Sequence, residues 1–395
     1  MKILHLINTL SAGGAELHLL TLCRHLKRQG LEPVVACLRE QVGGSRSLRD
    51  DFEDEGIRVI RLETDGRFDL RSISRLAGLV AKERPNILHT HLPRADIAGA
   101  CRRLLHPSVP WICSVHDIHD NSWSGRWTLP IFNFIWRRAD RVIAISQAVK
   151  DWLVKDRAVP AENVSVIHYG IEAERFSQSR SDLAQEWVLK DKLVIGAIGR
   201  LEPRKGHDCL LHAIAELKKI VPGVSLLIAG HDPWGYGKEL QSLIERLDLS
   251  KEVRLVGFQS DIAAFLGAID IFAFATQSEG FGQVVIEAMA AGKPVVASKI
   301  APLTEIIREG ETGVLVSRDD PRAFADAIAW LFTHPDQARE MGKRGQARVD
   351  NHFSAGKMVE KTLLLYDDVL RERSLKRSVA RKIRESLPQN RFDSR

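Results

Sequence analysis

Two carboxylates, Glu279 and Glu287, lie eight positions apart in the segment Ser278-Glu279-Gly280-Phe281-Gly282-Gln283-Val284-Val285-Ile286-Glu287. The glycines mark a turn, and the apolar run after Gln283 has the length and period of a helix. A helix opening near Gly282 carries Glu287 in its second turn. Its neighbours Val285, Ile286, Ala288 and Met289 read as buried. Carboxylates accept paired hydrogen bonds from vicinal hydroxyls, which suits sugars. The backbone N–H groups of Gly280, Phe281, Gly282 and Gln283 would cap the same pocket. The plainer alternative makes Glu279 a helix-start charge and Glu287 a surface residue. The apolar neighbours of Glu287 count against it.

A second segment, Gly199-Arg200-Leu201-Glu202-Pro203-Arg204-Lys205-Gly206, follows a strand-like run and precedes a helix. Arg200 offers a planar fork of donors and Lys205 a point charge, both aimed at an anion such as phosphate. A solvated basic loop is the bland alternative. A third segment, Ser11-Ala12-Gly13-Gly14-Ala15-Glu16, opens the first helix, where Gly14 lets backbone N–H groups approach a phosphate. The dinucleotide pattern G-x-G-x-x-G is absent. A fourth, Ser114-Val115-His116-Asp117-Ile118-His119-Asp120, could hold a metal. It reads better as one functional histidine, His116, at a strand end, with a satisfied structural histidine as the alternative. No two aspartates stand two positions apart, so no D-x-D pair exists to hold a metal–diphosphate complex. Metal is therefore assigned to none of these residues, and Arg, Lys and helix dipoles would replace it.

These segments need elements to hold them. Strand-like runs at Ile3–Leu10, Pro33–Leu38, Arg58–Leu62, Asn86–His91, Trp111–His116, Val142–Ser146 and Val164–Tyr169 alternate with amphipathic stretches such as Ala15–Arg28. After the polar interval Glu172–Lys192 they resume at Leu193–Gly199, Val224–Ala229, Val253–Phe258, Ile271–Ala275, Pro294–Ala297 and Gly313–Val316. Alternating strands and helices make parallel sheets covered on both faces. The chain is predicted to be α/β, with two doubly wound, Rossmann-like parallel-sheet domains facing across a cleft. The expected divisions are 1–175, 190–360, and a helix with a basic tail at 361–395. Ligands of such sheets bind at the strands' carboxyl ends, so every segment above lines the cleft.

Composition narrows the class. Apolar residues make up 44% and charged residues 27%, ordinary for a globular chain. No apolar run approaches the ~20 residues of a spanning helix, and the N-terminus reads as a first strand rather than a secretory leader. Five scattered cysteines without a C-x-x-C pair suit reduced thiols and a cytoplasmic setting. The net charge is +6, yet residues 371–395 hold nine basic and three acidic residues and account for all of it. No nucleic-acid module is present, and nucleic acid is not an expected partner. In the tail, Leu375, Val379, Ile383 and Leu387 recur among basic residues. That pattern fits peripheral contact with an anionic membrane and equally a helix packed on the first domain. Trp111 and Trp136 read as core, with Trp123 and Trp127 open.

Taken together, the four segments, with Ile143-Ala144-Ile145-Ser146 and Val166-Ile167-His168-Tyr169-Gly170-Ile171, resemble the retaining glycosyltransferases of family 4, the "group 1" transferases with the GT-B fold. The resemblance runs over roughly residues 1–365. It implies transfer of a sugar from a nucleotide-diphosphate donor to a glycan or lipid-linked acceptor, with no cofactor. It implies that Arg200 and Lys205 neutralise the diphosphate and that Gly14 approaches it. Glu287 would bind the ribose, Glu279 and the Gly280–Gln283 amides the sugar, and His116 would stand near the reaction centre. Phe258 would border the base. Tyr169 departs from the asparagine of many relatives. A sugar-nucleotide epimerase of the same fold, and a non-catalytic binding protein, are the alternatives.

Overall fold

A computed structural model describes residues 1–39, 46–63, 70–105, 108–118, 129–177 and 193–386. Seven strands form the first sheet: β1 (Lys2–Ile7), β2 (Glu32–Cys37), β3 (Arg58–Arg61), β4 (Ile87–His91), β5 (Trp111–Val115), β6 (Arg141–Ala144) and β7 (Val164–Val166). Their order is β3-β2-β1-β4-β5-β6-β7. The second sheet holds β8 (Leu193–Ile198), β9 (Val224–Ala229), β10 (Val253–Gly257), β11 (Ile271–Phe274), β12 (Val295–Ser298) and β13 (Val314–Val316), in the order β10-β9-β8-β11-β12-β13. All pairings are parallel. Each strand overlaps one expected run. Several runs extend past the ladder, as at Ile145, Ile167 and Tyr169, because those residues are buried by packing beyond the strand ends.

The strand order reverses between β1 and β4 in one sheet and between β8 and β11 in the other. Crevices at the carboxyl ends open at such reversals. Both sheets are sandwiched by helices, as the continuous burial of their central strands requires. On one face of the first sheet Ile3, Ile87, Ile112, Ile143 and Ile167 pack with Leu22 and Leu26 of helix Gly14–Arg28 and with the last helix, Ala355–Ser386. That last helix presents Met358, Val359, Leu365, Tyr366 and Val369 to the first sheet, the first pair recurring as the second after seven residues, two helical turns. The expected division at residue 360 therefore falls inside one helix. Beyond this face Arg373 grips Asp140 at 2.8 and 2.9 Å and Glu372 pairs with Arg141. Leu375 is exposed, while the side chains of Val379, Ile383 and Leu387 lie outside the described residues.

The two halves meet through specific contacts. Ser146 Oγ donates to the Gly280 carbonyl (2.7 Å). The backbone N–H groups of Gln147 and Ala148, opening a helix, donate to the Glu305 carboxylate (2.7 and 2.9 Å). Phe281 packs against Tyr169, His168 and Phe353. Trp111 and Trp136 are core residues, and their ring N–H groups donate to Thr90 and to Asp96. Trp123, Trp127, His119 and Asp120 lie outside the described residues. All five cysteines are free thiols. Among the described residues no helix is long and apolar enough to cross a membrane.

Candidate active site

After β8 the chain turns through a short 3-10 segment, Pro203–Lys205, and enters helix His207–Leu217 through Gly206. Gly206 has φ 65°, and a Cβ there would lie 2.1 Å from the Ala275 carbonyl. Only glycine permits this approach, which draws the loop after β8 onto the loop after β11. Lys205 and Glu279 consequently form an ion pair, each side chain about a tenth exposed (11% and 12%). Thr276 Oγ1 donates to the same carboxylate at 3.3 Å. Arg200 is half exposed, pairs with Glu202 (3.2 Å) and lies over the Trp234 ring (5.3 Å).

Arg204, which sequence reasoning passed over, is the more connected arginine. It donates to the Ser278 carbonyl (2.9 Å), pairs with Glu202 (3.2 Å) and reaches Asp117 of the first half (3.8 Å). Nothing in its spacing separates it from Arg200 and Lys205. Its role depends on which loop lies opposite.

Gly280 carries a close approach between the halves, since a Cβ there would meet the His116 carbonyl at 2.5 Å. Gly282 caps helix Gln283–Ala290, and Glu287 sits in its second turn, as the spacing requires. Glu287 is buried and accepts from Gln283 Nε2 at 2.9 Å. Burial raises its pKa to about 7. Phe281 was expected to serve the donor through its backbone amide, and its ring is buried at the junction of the halves. Only its backbone remains to serve a ligand. Phe258 follows the edge strand β10 and is about half exposed.

From the first half, Gly14 begins its helix after Gly13, which offers no side-chain cap, and the Glu16 carboxylate folds back onto its own backbone N–H in the first turn. Among the described residues, a Cβ built on Gly14 would have Gln283 Oε1 as its one neighbour within 4 Å, 3.7 Å away and across the cleft. Glu16, in the same turn, is buried with its pKa raised to about 7 by burial, and Arg200 acts in the opposite direction. Sequence reasoning gave it no role, although it stands in the Gly-Gly-Ala-Glu turn. His116 bonds His91 through Nε2 (3.1 Å) and Tyr169 through Nδ1 (2.6 Å). Both ring nitrogens of the expected histidine are thus engaged by the first half itself. His18 stacks on Tyr169 at 4.3 Å. A cavity of about 550 Å³ lies elsewhere, lined by His25, Glu172, Asp350 and Ser354 where the chain recrosses between the halves.

The structure therefore brings Lys205, Glu279 and Arg200 to the reversal point of the second sheet. Glu287 lies one helix turn behind, with Gly14 and His116 opposite. Such a cleft offers cations to an anion and carboxylates to hydroxyls.

Comparison with known proteins gives the same assignment for both halves. Residues 12–175 match the model of glycosyltransferase family 4, and residues 179–348 that of glycosyl transferases group 1. The capsular polysaccharide biosynthesis glycosyltransferase CapM of Staphylococcus aureus is 26% identical over 337 residues, covering 81% of this chain and 87% of that protein. The N-acetyl-alpha-D-glucosaminyl L-malate synthase of Bacillus anthracis is 24% identical over 313 residues, 77% and 80% of the two chains. The structure resembles that of Anabaena HepE in complex with UDP and glucose, with a TM-score of 0.83 and 26% identity over 93% of this chain and 99% of that one. Both halves being matched in chain order, this chain belongs to the group 1 glycosyltransferases and is built on the GT-B fold.

Proposed function

We propose that this glycosyltransferase moves a sugar from a nucleotide-diphosphate donor to a glycan or lipid-linked acceptor, retaining anomeric configuration and needing no metal ion. The observation that carries the reading is the Lys205–Glu279 pair at the reversal of the second sheet, flanked by Arg200 and facing Gly14 and Gln283. The diphosphate would share Lys205 with Glu279, since an ammonium has three donors. Glu279 would then accept from sugar hydroxyls, together with the Gly280 to Gln283 amides. Glu287 takes the ribose, the exposed Phe258 the edge of the base, and the helix N-terminus at Gly14 the phosphate from the other side. HepE, solved with UDP and glucose, supports a uridine-type donor pocket in such a cleft. CapM supports an acceptor of the polysaccharide class.

As the glycosidic bond lengthens, positive charge grows on the sugar ring and negative charge on the leaving phosphate. Arg200 and Lys205 meet that phosphate charge more strongly in the transition state than in the ground state, which lowers the barrier. The acceptor hydroxyl attacks from the face the phosphate leaves, and the phosphate oxygen takes its proton. Residues 371–395 would hold the chain peripherally at the anionic, cytoplasmic face of a membrane. A thermal-shift panel of nucleotide sugars in EDTA tests the donor. A ligand at a hundred times its Kd adds ~2.7 kcal/mol of stability. Stabilisation by none of them refutes the donor reading, and an epimerised donor recovered without acceptor refutes transfer.

A further inference from the structure

Histidines occupy inward positions on neighbouring strands of the first sheet. His5 on β1 is register-paired with His89 on β4, and His91 follows two residues on. All three are fully buried. Buried histidines usually bond backbone or hydroxyl groups, as His89 does with Tyr366 Oη (2.7 Å) and Ser114 Oγ (2.8 Å). The others bond one another. His5 Nδ1 lies 3.1 Å from His91 Nε2, His91 Nδ1 lies 3.1 Å from His116 Nε2, and His116 Nδ1 lies 2.6 Å from Tyr169 Oη. Three imidazoles in file run from the middle of the sheet to the cleft.

Burial lowers the pKa of His5 to about 3 and that of His91 well below its ordinary value, so both rings are neutral. A neutral imidazole has one N–H and one lone pair. Each N–H···N bond therefore dictates the tautomer of the next ring, and the file has a single polarity. Its inner end decides which. His5 Nε2 is buried with no partner among the described residues. An inward polarity would strand an N–H there. The outward polarity leaves only a lone pair, and orphaned buried donors are the rarer state. The outward polarity also makes Tyr169 Oη an acceptor from His116, so its own proton must find a partner on the cleft side. Burial, reinforced by the negative charges of Glu16, Asp117 and Glu279, holds that phenol protonated.

We propose that His5 and His91 are positioning residues: they hold His116 as its Nδ1–H tautomer, which turns the Tyr169 hydroxyl proton outward as a donor to an oxygen of the bound sugar. The clause about the sugar rests on the donor reading above, whereas the tautomers do not. His5, His89 and His91 also bring nitrogens within 4.8 Å of one another, as metal ligands would. The nitrogens of His89 and His91 are already engaged within the fold, which favours the hydrogen-bonded file.

The test is a long-range 1H–15N correlation spectrum of protein labelled with 15N-histidine, signals being assigned by single substitutions. The expected result is Nδ1–H at His5, His91 and His116. His5→Phe removes the first donor and frees His116 to reverse. Its spectrum should show Nε2–H or a mixture, and kcat should fall about tenfold at unchanged donor KM, the loss of one hydrogen bond made in the transition state. His5→Asn places an amide N–H where Nδ1–H was, and should restore both tautomer and turnover. Three results would overturn the proposal: Nε2–H at His116 in the unaltered protein, an unchanged His116 tautomer in His5→Phe, or one equivalent of zinc in the purified chain. If no nucleotide sugar is turned over, the spectra still decide the tautomers, so failure of the donor reading is distinguishable.

Discussion

Glu287→Gln should make this enzyme more stable at pH 8 and no more stable at pH 4.5. Glu287 is 6% exposed, and burial moves its carboxyl pKa from 4.5 to about 7. Its partner Gln283 donates one hydrogen bond at 2.9 Å, while Gln283 Oε1 is buried with no partner among the described residues. A protonated Glu287 can donate to that oxygen, and a carboxylate cannot. Between pH 4.5 and about 7 the folded chain keeps a proton that the unfolded chain has released, so stability declines as pH rises through this window and stays lower above it. At 1.36 kcal/mol per unit the decline is roughly 3 kcal/mol. The introduced amide is neutral at every pH, keeps an acceptor for Gln283 and adds a donor for its free oxygen. At ~2–4 °C per kcal/mol for a domain of this size, melts of variant and parent should separate by ~6–12 °C at pH 8 and converge near pH 4.5. A gap of equal size at both pH values refutes the reasoning. Under the proposed donor reading the same variant binds nucleotide sugar more weakly, because ribose hydroxyls lose their charged acceptor.

Lys205→Ala and Arg200→Ala should each lower kcat by ~10²–10³, the cost of one preorganised donor; near-normal turnover in both discards their role. Gly280→Ala places a Cβ 2.5 Å from the His116 carbonyl. The halves should separate, raising the radius of gyration in small-angle scattering and abolishing transfer while helix content is kept; an unchanged radius with full activity contradicts this. Ser146→Ala removes both the acceptor that caps Val149 N–H (3.1 Å) and the donor to the Gly280 carbonyl. A loss of ~1–2 kcal/mol is expected in urea unfolding, and an unshifted midpoint would show that these bonds contribute nothing.

The alternation of β-branched runs with amphipathic stretches was enough to read thirteen strands, two parallel sheets and the loops that face the cleft. Each follows from backbone periodicity, which depends on neighbours a few residues away. The same local logic placed Glu287 in the second turn of its helix and Arg200, Lys205 and Glu279 at strand ends. It failed where partners are distant in sequence. Phe281 reads as a backbone donor in a glycine-rich turn, and nothing in that spacing tells that its ring packs against Tyr169 of the facing half. Arg204 acquires meaning through Asp117 and the Ser278 carbonyl, and Lys205 through Glu279, 74 residues on. Period two assigns His5, His89 and His91 to inward positions, but their contact requires β1 and β4 to be neighbours, as does that of His116 once β5 lies beside β4. Local periodicity sets which way each side chain points. Strand order and the approach of the halves set what it meets there, through packing and hydrogen bonds that exist only in the assembled fold.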